Sequence, residues 1–415
     1  MIDVMDKHFQ DELHLSLSQS AWVLFAHYLG YLLMALPAGN LANRLGYKGG
    51  IIAGLLIVAV GGLWFLPATH IAMFWAFLLG VCVIASGLTF LETVANPYVS
   101  ILGDSRYAAV RINLAQSCNG IGWILGPIAG SLFFYSQDAQ GRSTGHETLY
   151  IPYVGVAVIV LILAAVFFFS DVPDIKNDDQ YRLNDSTANV TYSLWTRPHF
   201  AFAVVAQFLY VAAQAGIFSF FINYITSQVP AIPENWNAAW THAADGGGFL
   251  QVWLSGWLRR DPTGVLAISD KGAANLASLA FVLFLVGRLV GAGILRKIPG
   301  HQLLAIFATV NVALCLLVFI KLGWLSVACV FASYLFMSIM FPTIFALGIH
   351  GLGAQTKRAS AYLVMAIIGG ALIPKLMGYV ADQSDMSRAF IVPLFCFAFI
   401  GYYGFNWADM SKSGR

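Results

Sequence analysis

Long apolar stretches alternate with short charged loops along most of this chain. An α-helix needs about 20 apolar residues to cross the hydrocarbon core of a bilayer. The pattern predicts eleven such helices, at residues 22–41, 50–67, 71–101, 108–134, 151–169, 200–225, 274–294, 303–320, 325–347, 359–380 and 390–405. We therefore expect an all-α polytopic membrane protein.

The composition supports a membrane location. Hydrophobic residues make up 59% of the 415 residues and charged residues only 10%, with a mean hydropathy of +0.74, which is too apolar for a soluble protein. The net charge of +2 and the scattered Lys and Arg residues form no basic patch, so we expect no nucleic-acid partner. The five cysteines lie in apolar stretches without metal-ligand spacing, so we expect no metal and no cofactor.

Positive charge is distributed unequally between alternate loops. One side of the membrane receives Arg44, Lys48, Arg106, Arg111, Lys176, Arg182, Arg197, Arg296, Lys297, Lys357, Arg358, Lys412 and Arg415. By the positive-inside rule that side is cytoplasmic. We therefore expect a multi-pass protein of a bacterial cytoplasmic (inner) membrane, with its C-terminus in the cytoplasm.

Two polar stretches divide the chain. Residues 171–198 contain five aspartates and predict a cytoplasmic linker between one helix bundle at residues 1–170 and a second at 199–415. Residues 226–271 predict an extracytoplasmic loop, whose four tryptophans favour a short interfacial helix over a substrate lid. The two bundles also resemble each other, because residues 97–103 and 342–348 each lead from a proline into a basic loop. This indicates a parallel repeat around a central cavity.

Glu92 is a carboxylate within an apolar helix. It precedes the loop residue Asp104 by about 12 residues, or roughly 18 Å of helix rise, which places it near mid-membrane. An ionised carboxylate is costly there, so we expect Glu92 to take up and release a proton. The alternative is a Glu permanently paired for structural reasons. No Arg or Lys lies in an adjoining turn of the sequence, which favours the functional interpretation.

Amide side chains recur on predicted helix faces near Glu92. The candidates for substrate contact are Asn96, Asn113, Gln116 and Asn119 in the first bundle and Gln207, Tyr210 and Gln214 in the second. Spacings of three, four or seven residues place them on one face of each helix. Amides donate and accept hydrogen bonds without charge, which suits sugar hydroxyls. Each of them could instead hold two helices together.

Two further ionisable residues lie within apolar runs. For Lys375 the sequence favours a snorkelling or paired structural role over a coupling role. For His27 a structural role and a coupling role are equally open.

Several stretches resemble the fucose/glucose/galactose:proton symporters of the major facilitator superfamily. The resemblance is carried by FLETVANP at residues 90–97 and RINLAQ at 111–116, and by AQFLYVAAQ at 206–214 and FMSIMFPTIF at 336–345. It covers nearly the whole chain. It implies a major facilitator fold of two six-helix halves, with the first helix truncated in this chain.

The resemblance also implies site residues. In such symporters a Glu in helix four and an Asp in helix one form the protonatable pair, which corresponds to Glu92 and Asp3 here. Polar residues of helices four, five and seven contact the sugar, which implies Gln116 and Asn119 as ligands. Only Met1 and Ile2 precede Asp3, whereas the family has an apolar half-helix before it. We therefore expect the first helix to begin upstream of this chain.

The function expected on these grounds is uptake of a monosaccharide of the fucose, galactose or glucose type together with a proton, by a monomer that alternates its access. A sugar-binding sensor or an uncoupled facilitator is the alternative if the first helix is truly incomplete. A drug exporter should have a more apolar cavity. An enzyme is not expected, because the spans contain no HExxH motif, paired catalytic carboxylates or activated nucleophile.

Overall fold

The computed structural model describes residues 22–71, 73–133, 150–171, 193–234, 257–260 and 264–413. Asp3, most of the predicted linker and most of the predicted extracytoplasmic loop lie outside these ranges. The predictions made for them are therefore not tested by the structure.

The chain is mostly helical. Within the described residues, the helices before residue 170 are α1 (Trp22–Ala42), α2 (Arg44–Ile71), α3 (Phe74–Ile101), α4 (Ala108–Phe133) and α5 (Tyr150–Phe169). Those after residue 197 are α6 (Pro198–Ser219), α7 (Phe221–Gln228), α8 (Asp270–Ile294), α9 (Gly300–Phe319), α10 (Trp324–Met337), α11 (Met340–Gly348), α12 (Thr356–Met365), α13 (Gly369–Gln383) and α14 (Ile391–Ser413). We refer to α1–α5 as the first bundle and to α6–α14 as the second.

The predicted membrane spans are present as helices. In the described part of the chain ten helical segments are long and apolar enough to cross a membrane. The remaining predicted span is α4, which is helical over 26 residues but falls outside those ten. The helices α1 and α2 follow each other in one helical stretch, which is kinked in the first turn of α2 at Gly46, whose φ of 71° lies outside the right-handed helical region. The predicted all-α membrane fold is confirmed.

Three of the predicted spans contain a break in the regular α-helix. One break lies at Phe220 between α6 and α7, and another at residues 338–339 between α10 and α11. A third is the 3₁₀ turn Ala366–Ile368 between α12 and α13. A break can free backbone carbonyls, and inside a membrane such carbonyls must find donors from other parts of the protein.

Each bundle has its own apolar contacts. In the first bundle α2, α3 and α5 meet where the Phe65 and Tyr153 rings stack at 3.8 Å. The second bundle forms a larger core that includes Phe284, Tyr334 and Tyr403. Many outward-facing side chains are apolar as well, as expected for surfaces that face lipid.

The helix α4 forms a large contact between the bundles. It follows α3 in sequence, yet its most extensive contact is with α8 of the second bundle. The helices α12 and α13 also reach α1, and Gly370 permits this approach, since a Cβ atom there would lie 2.3 Å from Cζ of Tyr28. Residues on α1, α3, α4 and α8 are therefore placed to meet between the bundles.

A small β-hairpin precedes α8. Its antiparallel strands are β1 (Leu258–Arg260) and β2 (Leu266–Ile268). Arg260 pairs in a bidentate way with Glu234, at 2.9 and 3.1 Å. The sequence analysis did not predict this hairpin, and the interfacial helix it favoured falls largely on residues 235–256, outside the described residues.

Candidate functional site

Glu92 lies on α3 and faces α1. The hydroxyl of Tyr31 donates to its Oε1 atom at 3.4 Å. Its Oε2 atom is buried and has no hydrogen-bond partner among the described residues. Only one of the two carboxylate oxygens is therefore satisfied, which is an unstable arrangement for an ionised group but an acceptable one for a protonated group.

Arg288 on α8 is the charged group of the second bundle that interacts with Glu92. Its side chain is buried, with 2% exposure, and its charge acts electrostatically on the Glu92 carboxylate. Its guanidinium carbon lies 4.7 Å from the ring centroid of Phe284 and 5.7 Å from that of Trp123. No carboxylate of the described residues lies within 4 Å of it as a salt-bridge partner.

The break between α10 and α11 explains how the membrane interior accommodates this charge. Arg288 Nε donates to the carbonyl of Ser338 at 2.9 Å, within the break. Its Nη1 atom donates to the carbonyl of Gln116 on α4. A guanidinium can serve several acceptors in a fixed fork, so Arg288 connects a helix of the first bundle to the broken helix of the second.

The amides of the first bundle form a continuous row. Gln116 Nε2 donates to Asn96 Oδ1 at 3.1 Å, and Asn119 Nδ2 donates to Gln116 Oε1 at 3.2 Å. Asn96 Nδ2 is buried without a partner in the described residues. Asn96 lies one turn after Glu92 on α3, so the row begins beside the carboxylate and continues along α4.

Arg111 fixes the two helices that carry these groups. Its Nε atom donates to the carbonyl of Val99 at 3.0 Å, and its Nη1 atom to that of Asp104 at 2.8 Å. Its Nη2 atom donates to the carbonyls of Ser100 and Gly103. One side chain at the start of α4 thus satisfies the last carbonyls of α3, which holds Glu92 and the amide row in a constant relation.

Besides the three members of the amide row, two of the seven substrate candidates have hydrogen-bond partners in the structure. Asn113 Nδ2 donates to the carbonyl of Ala109 at 2.8 Å and to Thr343 Oγ1 on α11 at 3.4 Å. The Tyr210 hydroxyl donates to the carbonyl of Met337, at the α10–α11 break, at 3.1 Å. Both side chains therefore stabilise helix contacts in this arrangement.

The glutamines of α6 have polar atoms available. Both amide atoms of Gln207 and the Nε2 atom of Gln214 are buried without hydrogen-bond partners among the described residues. The structure records no hydrogen bond between these two side chains and the amide row of the first bundle in the part of the chain it describes. Buried amides without partners carry a free-energy cost of about 1 to 3 kcal/mol each, which a polar ligand could remove.

His27 and Lys375 differ in their surroundings. His27 Nδ1 is buried and lacks a partner in the described residues, and its ring lies 5.2 Å from those of Tyr28 and Tyr31. The Lys375 side chain is exposed, and its ammonium group lies 6.0 Å from the centroid of the Phe25 ring. The lysine position is that of a snorkelling side chain, whereas His27 points into the protein.

Comparison with known proteins identifies the family. A family described as Major Facilitator Superfamily matches residues 4–374. The chain belongs to the major facilitator superfamily. This membership accounts for the two bundles and for the central position of α4 and α8, because major facilitator transporters hold their site between two repeated halves.

Relatives of known type share most of the chain. A glucose/galactose transporter of Brucella abortus is 32% identical over 403 residues, covering 97% of this chain and 88% of the relative. An L-fucose-proton symporter of Escherichia coli strain K12 is 31% identical over 416 residues, covering 96% and 87%. The predicted resemblance to this group of major facilitator proteins is confirmed.

A solved structure has the same fold. The crystal structure of the major facilitator transporter FucP in the outward conformation is 30% identical and has a TM-score of 0.75. The match covers 98% of this chain and 94% of that chain.

The sequence analysis missed Arg288 and Thr343. Arg288 stands alone in the apolar run FVLFLVGRLVGAGI at residues 281–294. A single charge within an apolar span is itself a signal of function in a major facilitator protein, so this residue was detectable. Thr343 gave no such signal, because threonine is common in membrane helices and only the contact with Asn113 distinguishes it.

Proposed function

We propose that this protein takes up a monosaccharide of the fucose, galactose or glucose type together with a proton, by alternating access. The observation that carries this proposal is the half-satisfied Glu92 carboxyl beside a row of amides that begins with the buried pair Asn96 and Gln116. The names of the relatives, a glucose/galactose transporter and an L-fucose-proton symporter, support the substrate class.

The sugar site consists of the amide row of Asn96, Gln116 and Asn119, faced by Gln207 and Gln214 from the second bundle. Sugar hydroxyls both donate and accept, so they can pair with amide donors and acceptors that now lack partners. Asn113 and Tyr210 have a positioning role, since they already bind Thr343 and the Met337 carbonyl. Sugar binding would give hydrogen-bond partners to buried amides that lack them without sugar, and this favours binding.

Coupling arises from the attraction between Glu92 and Arg288. While Glu92 is ionised, its charge in the first bundle attracts a guanidinium held by the second. Protonation removes this attraction and leaves Arg288 bound only to the carbonyls of Gln116 and Ser338. The bundles can then rock, releasing sugar and proton on the other side. Asp3 is the second protonatable residue of the pair that the family resemblance implies.

The orientation of the protein in the membrane follows from the positive charges of its loops. The ends of α1 and α3 near Arg44 and Arg106 face the cytoplasm, as does the C-terminus. Glu92 is then loaded from the extracytoplasmic side, and the downhill movement of protons into the cell drives uptake. The protein acts as a monomer within the cytoplasmic membrane, and it is not an enzyme.

Replacing Glu92 by Gln tests the proposal directly. Glu92→Gln keeps the size and polarity of the side chain but cannot release a proton. In vesicles with an imposed proton gradient, we expect uphill accumulation of sugar to be lost while sugar exchange without a gradient continues. Unchanged uphill uptake by Glu92→Gln would contradict the proposal. Vesicles of the unmodified protein that bind sugar yet never move it would favour the sensor instead.

A further inference from the structure

The mechanism above leaves His27 unused, although it lies next to the proton site. His27 is on α1, four residues before Tyr31, and residues at this spacing share a helix face. In the proposed orientation it lies about one helical turn, or roughly 5 Å, closer to the extracytoplasmic surface than Tyr31. It is thus on the side from which the proton enters.

Tyr31 lies between His27 and Glu92. The centroids of the His27 and Tyr31 rings are 5.2 Å apart with an interplanar angle of 59°. The Tyr31 hydroxyl donates to Glu92 Oε1 at 3.4 Å, and Tyr31 is buried with 5% exposure. The three side chains therefore form a line from the outer part of α1 to the carboxylate on α3.

His27 has a free ring nitrogen in this line. Its Nδ1 atom is buried and without a hydrogen-bond partner among the described residues. A buried imidazole that served only for packing would be expected to pair this atom. Histidine also exchanges protons in the physiological range, which neither a tyrosine nor an amide does.

Among the described residues, the groups around His27 leave its Nδ1 atom without a hydrogen-bond partner. Of the described residues, the titratable side chains whose rings lie next to it are Tyr28 and Tyr31 on α1. Glu92 on α3 lies beyond Tyr31. Lys375 of α13 reaches the same end of α1, where its ammonium group lies over the Phe25 ring. No carboxylate within the described ranges forms an ion pair with the imidazole.

We propose that His27 loads Glu92 with its proton through Tyr31, an inference that rests on the proposed symport function. The imidazolium gives its Nδ1 proton to the Tyr31 oxygen, directly after a ring rotation or through one water. The phenolic proton of Tyr31 passes to Glu92 Oε1 in the same step. His27 ends neutral, Tyr31 is unchanged and Glu92 is a neutral carboxyl. His27 then regains a proton from the extracytoplasmic side.

The experiment compares His27→Gln, Tyr31→Phe and the control His70→Gln in vesicles. His70 lies in the last turn of α2 and is exposed. We expect the initial rate of proton-driven uptake at neutral external pH to fall at least tenfold in the first two variants and not in the control. Sugar exchange without a gradient should keep its wild-type rate in His27→Gln and in the control. External acid should restore uptake in His27→Gln, because Glu92 is then protonated directly.

Two results would overturn the relay. One is a wild-type uptake rate and pH profile in His27→Gln; the other is a parallel loss of gradient-free exchange, which would reveal a structural role. Glu92→Gln in the same vesicles separates the two proposals. If Glu92→Gln is uncoupled while His27→Gln behaves as wild type, the relay alone fails, and if Glu92→Gln still accumulates sugar, symport through Glu92 fails.

Discussion

At the scale of single residues, the buried guanidinium of Arg288 has three tasks. It satisfies a carbonyl in the α10–α11 break, it binds a carbonyl on α4, and it interacts with the charge of Glu92. A buried charge is costly unless its hydrogen bonds are complete. The side chain is therefore stable only while both bundles hold it, which makes it sensitive to any movement between them.

Replacing Arg288 separates charge from geometry. Arg288→Gln removes the charge opposite Glu92, and we expect uphill sugar accumulation to fall at least tenfold. Arg288→Lys keeps the charge but lacks the planar fork that serves two carbonyls, so we expect an intermediate rate. Arg296→Gln, at an exposed position just beyond α8, is the matched control. Wild-type accumulation by Arg288→Gln would show that the charge has no part in coupling.

At the scale of helices, α4 is held against the second bundle by an aromatic cluster. Trp123 lies one turn beyond Asn119 on α4, and its ring packs against Phe218 at 5.4 Å, Phe281 at 5.7 Å and Phe284 at 5.2 Å. Aromatic pairs contribute about 0.5 to 1.5 kcal/mol each beyond simple burial. The end of the amide row is thereby closed by residues of α6 and α8.

Removal of this ring should loosen the contact. We expect Trp123→Ala to lower the free energy of unfolding by about 2 kcal/mol or more, seen as a lower apparent Tm, and to slow sugar exchange. Trp75→Ala is the control, because Trp75 is 54% exposed at the start of α3. Equal effects of the two substitutions would argue against a specific role for the cluster.

At the scale of the whole molecule, the bundles touch where α4 meets α8 and where α12 and α13 approach α1. Besides Arg288 and the Trp123 cluster, the specific contacts between them include the Asn113–Thr343 hydrogen bond and the approach of Gly370 to Tyr28. Alternating access requires such contacts to form and break in turn. Small residues at the contact matter because a side chain there would hold the bundles apart.

A side chain at position 370 should therefore slow transport. In Gly370→Val the new Cβ would meet the Tyr28 ring, and we expect a transport rate at least tenfold lower with the protein still folded. Tyr28→Ala in the same chain should relieve the clash and restore much of the rate. Gly122→Ala, which has open space around it, should change nothing. No rescue by Tyr28→Ala would place the defect elsewhere.

The hydrophobic pattern was sufficient for the membrane helices, because span length is a local property of the sequence. It also identified Glu92, and the spacing along α3 and α4 identified Asn96, Gln116 and Asn119, which the structure joins by hydrogen bonds. The helix breaks were not predictable in the same way. The carbonyls of Met337 and Ser338 at the α10–α11 break are satisfied by Tyr210 and Arg288, which come from distant parts of the chain.

The sequence also could not show that some candidate sugar ligands already have partners within the protein. Asn113 and Tyr210 have the residue types and spacing of sugar ligands, and only tertiary contact shows that each already has an acceptor. Arg288 was overlooked because one charge hardly alters the mean hydropathy of a span.

Arg111 has a consequence for the ratio of protons to sugars. Arg111, at the start of α4, binds carbonyls at the end of α3. We therefore expect the Glu92 carboxyl and the amide row to move together as one rigid body. In the proposed mechanism, a change of access at the amide row is therefore also a change of access at Glu92, and we expect one Glu92 proton to accompany each sugar. With that ratio, the steepest gradient of a neutral sugar that these protons can sustain equals the proton electrochemical gradient that drives uptake.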